Sequence, residues 1–168
     1  MEQHDSLSIT DYQALAEFRY QIRRILRFSE EAAYSAGLEP QQHQLLLAIK
    51  GLPAERQATI GELAERLQLR HHSTVELIDR LVKRGLVERR RDEEDQRRVI
   101  VDLLPPGEEI LQTLSYHMLT ELRSTGPMFV QALNTLLAST MDNADASTVQ
   151  DTAAPSPASA ADLAQEYL

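Results

Sequence analysis

Residues 58–107, ATIGELAERLQLRHHSTVELIDRLVKRGLVERRRDEEDQRRVIVDLLPPG, decide the fold. The four residues TIGE at 59–62 have the pattern of a capping box. The Thr59 oxygen meets an amide left open at the helix start, and Glu62 reaches back to close the pair. Ile60, Leu63, Leu67 and Leu69 then point inward from a short helix and its turn. A second helix is predicted from His71 to Arg84, stopped by Gly85. Leu86–Arg91 and Val99–Leu103 are strand-prone, and the charged run from Asp92 to Gln96 between them reads as a hairpin loop. Helix, helix, strand, charged turn and strand, in that order, predict a winged helix-turn-helix, mainly α with a small β-hairpin wing. In that arrangement the second helix enters the major groove of duplex DNA.

The charge distribution agrees with this reading where the total does not. The chain carries a net charge of −9 over 168 residues, which by itself argues against a nucleic-acid partner. Ten of the 17 Lys and Arg residues, however, fall between Arg66 and Arg98. DNA binding depends on a local basic face rather than on the sum. The acidic remainder would weaken non-specific attachment. The length suits one domain with its own core. The absence of cysteine excludes disulfides and thiolate metal sites and fits a cytoplasmic protein. No apolar run is long enough for a membrane span, and the polar, acidic opening segment is unlike a secretory signal.

Outward from the central stretch, residues 11–36 read as a long helix capped by Asp11 or Thr10 and stopped by Gly37. Leu15, Phe18, Ile22, Ile25, Leu26 and Ser29 form its inner stripe, with Arg19, Arg23, Arg24, Arg27, Glu30 and Glu31 opposite. Residues 40–51 form a second helix opened by Pro40, burying Leu45, Leu46 and Ile49. Beyond the wing, Pro105-Pro106 opens a helix to about Ser124. Gly126-Pro127 is expected to break it, and Met128–Met141 forms another. After Asp142 the Ala, Ser, Thr, Asp and Pro composition cannot bury a core. Residues 142–168 are expected to be a disordered tail, with at most a marginal helical turn at DLAQEYL. The expected organisation is one domain over 1–141, with 38–104 as its DNA-binding part.

On a helical wheel, Val75, Ile78, Leu81 and Val82 cluster on one side of the second helix of the motif, with Leu77 at the edge. His72, Ser73, Glu76, Asp79, Arg80 and Lys83 occupy the other. His72, Ser73 and Glu76 are assigned to base edges, and His71, beside them at the helix start, is counted among the DNA-binding residues. A glutamate can accept from a cytosine amino group. Arg70, Arg80 and Lys83 suit phosphate. On the wing, Asp95 is placed to pair with Arg97 and hold its guanidinium. Arg97 or Arg98 then reaches a minor groove, where a narrow A·T tract concentrates negative potential.

From about Ile60 to Leu111 the chain resembles the multiple-antibiotic-resistance-regulator (MarR) family of bacterial transcription factors. The pattern is carried by GELA at 61–64, by Val75 with LIDRL at 77–81, by Gly85, Leu86, Val87 and Arg89, by Asp95-Gln96-Arg97, and by Leu103 with Gly107. The resemblance implies a homodimer built from the N- and C-terminal helices (11–36 and 105–141), with two winged domains on a pseudo-palindromic operator. It also implies Arg97 as the minor-groove contact at the wing tip. One departure is Leu104-Pro105-Pro106, where the family has a Thr after the strand leucine. That removes a side-chain cap.

A repressor acting by occupation of its operator is the expected function. The effector is expected to be a small aromatic acid, bound in a crevice lined by Phe18, Ile22, Leu45, Ile49 and Leu114, with Arg19 or Arg23 for the acid group. No cofactor and no metal are expected. His71 and His72 point about 100° apart on a helix, and His43 and His117 are isolated. No nucleophile–base pair or phosphate-cradling loop is present, so an enzyme is not expected. The rival reading is a winged-helix protein–protein module without DNA binding, against which the basic wing argues.

Overall fold

The structure is a computed structural model that describes residues 7–93 and 95–150, with side chains up to Ala138. Five helices and one hairpin follow in the order α1 (Ile9–Ser35), α2 (Pro40–Lys50), α3 (Ile60–Leu67), α4 (His71–Lys83), β1 (Val87–Arg91), β2 (Val99–Leu103) and α5 (Pro105–Gln150). The chain separates into two compact units, one of Tyr20–Met128 and one of Met1–Arg19 with Phe129–Leu168.

The Tyr20–Met128 unit holds the core. Leu38, Leu45, Leu46, Leu63, Leu77, Ile78, Leu81, Leu86, Val87, Val101, Leu111 and Leu114 are buried together. α2, α3 and α4 pack on one another and on the hairpin. β1 and β2 are antiparallel, with Val87 opposite Leu103 and Arg91 opposite Val99. The chain entering α3 adds to this hairpin. Thr59 bridges Ile100, and the Val101 amide donates to the Ala58 carbonyl at 3.0 Å. This extra pairing ties the wing to the helix-turn-helix by backbone bonds, and no side-chain pattern announced it.

The helix starts depart from the sequence reading in instructive ways. Ser8, not Thr10 or Asp11, caps α1. Its amide donates to Asp11 Oδ2 at 2.8 Å, and the Asp11 amide returns a bond to Ser8 Oγ at 3.2 Å. At α3 the box is half-formed. Thr59 Oγ1 accepts from the Glu62 amide at 3.2 Å, but the Glu62 carboxylate takes Arg56 and Arg66 at 2.9 and 2.8 Å. The Thr59 amide bonds the Gln57 carbonyl instead, at 2.7 Å, so Glu62 has no open donor to reach back for. α5 starts at Pro105 without a side-chain cap at Leu104, whose carbonyl accepts from the Glu108 amide at 3.0 Å.

Two stripes are rotated from those expected. On α1 the most buried positions are Asp11, Ala14, Gln21, Ser29 and Ala33, while Leu15 and Leu26 face outward. On α4 the buried set is Thr74, Leu77, Ile78 and Leu81. Leu77 is central rather than marginal, and Val82 is exposed. A larger difference is in α5, which does not break at Gly126-Pro127. A proline disfavours helix at the preceding residue by clashing with its N–H and its Cβ, and Gly126, with no Cβ, escapes part of that clash. The helix therefore absorbs the loss of one backbone donor at Pro127. It also continues through 142–150, where a disordered tail was expected. The remainder of that tail, 151–168, lies outside the described residues.

In the unit of Met1–Arg19 and Phe129–Leu168, the Phe18 and Phe129 rings stack at 5.6 Å, a favoured aromatic separation. Ile9, Tyr12 and Leu15 of α1 and Val130 and Leu137 of α5 stay exposed in the monomer.

Candidate nucleic-acid interface

α4 owes its orientation to the turn before it. Gln68 adopts a left-handed backbone (φ 53°), a conformation rare for a residue with a Cβ. The Leu69 amide closes on the Ala64 carbonyl at 2.9 Å, and the Gln68 side chain donates to the Glu65 carbonyl at 2.7 Å. These bonds hold the strained residue. With Thr74, Leu77, Ile78 and Leu81 locked in the core, His72, Glu76, Arg80 and Lys83 are left along one exposed stripe. His71 and Arg70 are exposed at its head, and Ser73 is half-buried. Asp79, at the margin of the stripe, is paired with Arg89.

Arg89 is a residue whose role the sequence reading missed. In the sequence it stands only as one position of the family pattern. In the structure it reaches from β1 to α4, pairing with Asp79 and donating to the Val75 carbonyl at 3.2 Å. Its neighbours are also committed internally. Arg90 pairs with Asp102 across the hairpin at 2.5 Å, and Arg91 donates to the Gln96 carbonyl at 2.6 Å. Arg84, just past α4, donates to Gln42 Oε1 at 2.9 Å. These four arginines tie elements of the motif together, although in the sequence they look like plain surface charge.

The wing turn is closed by the Asp92 amide to the Arg98 carbonyl at 3.1 Å and the Arg98 amide to the Asp95 carbonyl at 2.8 Å. Asp95 Oδ1 accepts from the Arg97 backbone amide at 3.0 Å rather than gripping its guanidinium, which corrects the expected contact. Two residues is the natural reach of an aspartate onto its own backbone. Arg97 is left exposed. Arg98 leans toward Asp92 at 3.6 Å, and Asp92 is almost fully enclosed.

Of the seven residues assigned to an effector crevice, Phe18 and Arg19 belong to one unit, and Ile22, Arg23, Leu45, Ile49 and Leu114 to the other. Leu45 and Leu114 are core, and Ile49 packs against the core. Phe18 stacks on Phe129, Ile22 is half-buried, and Arg19 and Arg23 are exposed. The groove between α1 and α5 within the Tyr20–Met128 unit measures about 510 Å³. It is lined by Phe28, Glu31, Ala32, Thr113, Leu114 and His117, among others. Of the seven, only Leu114 lines it. No group of three or more His, Asp or Glu suited to a metal occurs among the described residues. No described helix is long and apolar enough to cross a membrane.

Residues 36–98 match the sequence profile of the MarR family. An HTH-type transcriptional regulator of Bacillus subtilis, YcgE, is 32% identical over 114 residues, covering 68% of this chain and 72% of that protein. The chain belongs to the MarR family. A second B. subtilis HTH-type regulator, YsmB, is 50% identical over 54 residues. That match spans 32% of this chain and only 37% of YsmB. Among solved MarR-family folds, Staphylococcus aureus MepR in its DNA complex superposes with a TM-score of 0.53 at 20% identity, covering 73% of this chain and 96% of MepR. As a MarR-family transcriptional regulator the chain has the winged helix-turn-helix expected of it.

Proposed function

We propose that this MarR-family protein is a sequence-specific double-stranded-DNA-binding repressor that acts in the cytoplasm as a homodimer on a pseudo-palindromic operator. The observation that carries the reading is the exposed stripe His72, Glu76, Arg80 and Lys83 beside a wing with exposed Arg97 and Arg98, the two joined through Arg89. MepR, of the same fold, has been seen with DNA. His72, Ser73 and Glu76 read bases. Arg70, Lys83 and Arg98 meet phosphate, and Arg97 enters the minor groove. Repression is steric occupation of the operator. The α1–α5 groove is the site we assign to a small ligand that releases the protein. Binding there needs to bias the DNA-competent state by only about 1–3 kcal/mol. Selection of bound duplexes from a random pool tests the core of this reading. Enrichment of a two-fold-related site, lost on Glu76→Ala with His72→Ala, supports it. Recovery of unrelated sequences at every salt concentration would sink it.

A further inference from the structure

Ion pairs among the described residues fall into two groups. Arg27–Glu31, Arg56–Glu62, Arg66–Glu62 and Arg90–Asp102 close to between 2.5 and 2.9 Å, and Lys50–Glu108 and Arg89–Asp79 close at least as far. Two pairs stay open. Arg80 Nη1 lies 3.6 Å from Glu39 Oε2, and Arg98 Nη1 lies 3.6 Å from Asp92 Oδ2. That separation is too long for a hydrogen bond yet leaves a Coulombic attraction. Both open pairs involve arginines of the proposed DNA face.

Glu39 is well placed for more than casual contact. It is the residue at the N-terminal cap of α2, and its amide donates to Gln42 Oε1 at 3.1 Å. The same Gln42 oxygen, in an almost fully buried residue, accepts from Arg84 at 2.9 Å. The backbone of Glu39 is thus tied to the C-terminal end of α4. The Glu39 side chain also accepts from the Gln42 amide, closing a capping box at the start of α2. It remains 59% exposed and Arg80 50% exposed, so the Arg80 side chain can leave while Glu39 stays rooted.

We propose that Glu39 is an internal stand-in for a DNA phosphate, an affinity-setting residue that occupies Arg80 in the unbound protein and yields it on DNA. This rests on the DNA-binding reading above. Each duplex must displace the carboxylate and then tolerate it beside the backbone. The exchange opposes all DNA, so only sites that add base contacts are held. It also lowers the salt dependence, because the carboxylate regains a cation as Arg80 leaves and cancels part of the counterion release.

The test is binding of the full chain to the selected operator and to a random duplex across a salt series. The proteins are wild type, Glu39→Gln, Arg80→Ala and the double variant, with Glu39→Ser as a second substitution that keeps a good helix cap. Glu39→Gln should bind the random duplex about twofold to fivefold tighter, the range of an exposed ion pair. Its salt slope should steepen by up to about one unit. In the Arg80→Ala background the gain should shrink, leaving only the part due to repulsion between the carboxylate and the DNA backbone. An equal gain in both backgrounds would mean diffuse charge and overturn the proposal, as would no gain from either Glu39 variant. A wild type that binds no duplex overturns the DNA reading itself.

Discussion

Arg97 stands at the end of a turn held by its neighbour. Asp95 grips the Arg97 amide at 3.0 Å, so the turn is held through backbone while the Arg97 side chain stays exposed. Arg97→Ala should therefore leave the wing folded and weaken binding to an A·T-flanked site more than to bulk duplex. Competition titrations check this, and equal losses on all sequences would remove the minor-groove role. His43 sets a second residue-scale expectation. It is enclosed in α2, its Nδ1 finds no hydrogen-bond partner among the described residues, and burial pushes its pKa below the ordinary 6.5. The folded state thus disfavours the proton that the unfolded chain accepts. Stability from the neutral form is complete above about pH 6.5 and lost as pH falls from there through the lower folded value. Melting at pH 7.5 and 5.5 should show a larger drop for wild type than for His43→Leu. Equal drops would contradict it. The exposed face of α4 was legible from helical periodicity alone. Its pairings were not, because Glu39 lies 41 positions from Arg80 and Asp79 ten from Arg89, separations with no local signature.

At the scale of elements, α5 begins in close contact with the base of the wing. A methyl group at Gly107 would lie well inside van der Waals distance of the Leu86 carbonyl oxygen, which already accepts the Leu104 amide at 3.0 Å. Gly107→Ala must push α5 off the base of the wing and should destabilise by about 1–3 kcal/mol. Gly61 in α3 is the contrast. It has open space around it, so Gly61→Ala should stabilise by about 0.4–1 kcal/mol through the unfolded state. Urea titrations of both variants measure the difference, and similar effects of the two would undo the argument. Gly107 was legible as part of a family pattern but not as a packing constraint, which only the approach of β1's entry to α5 creates. Likewise the α5 break was misread because glycine and proline each weaken a helix, yet a glycine before a proline removes the Cβ part of the clash that proline imposes.

At the scale of the molecule, the helical pair in the Met1–Arg19 and Phe129–Leu168 unit leaves Ile9, Tyr12, Leu15, Val130 and Leu137 exposed. Two helices cannot enclose such surface on their own, and a second copy is the occupant we assign to it. Light scattering at micromolar concentration should give a dimer, with operator half-sites about 10 base pairs apart. A monomer that binds DNA as a monomer would contradict this. The apolar stripes made the tendency legible, but the division of the chain into two units was not, because α1 and α5 run through both without interruption.

The Arg89 bridge gives the recognition helix and the wing a fixed separation, much like two teeth cut from one key blank. If both engage the same half-site, the distance from the bases read in the major groove to the flanking minor groove becomes part of the recognised message. A single base pair inserted between them would leave every letter in place and still be misread. The wing's share of affinity should then disappear, and Arg97→Ala should cost nothing further on that lengthened site. Loosening the blank with Arg89→Ala should make the lengthened and native sites more nearly equal.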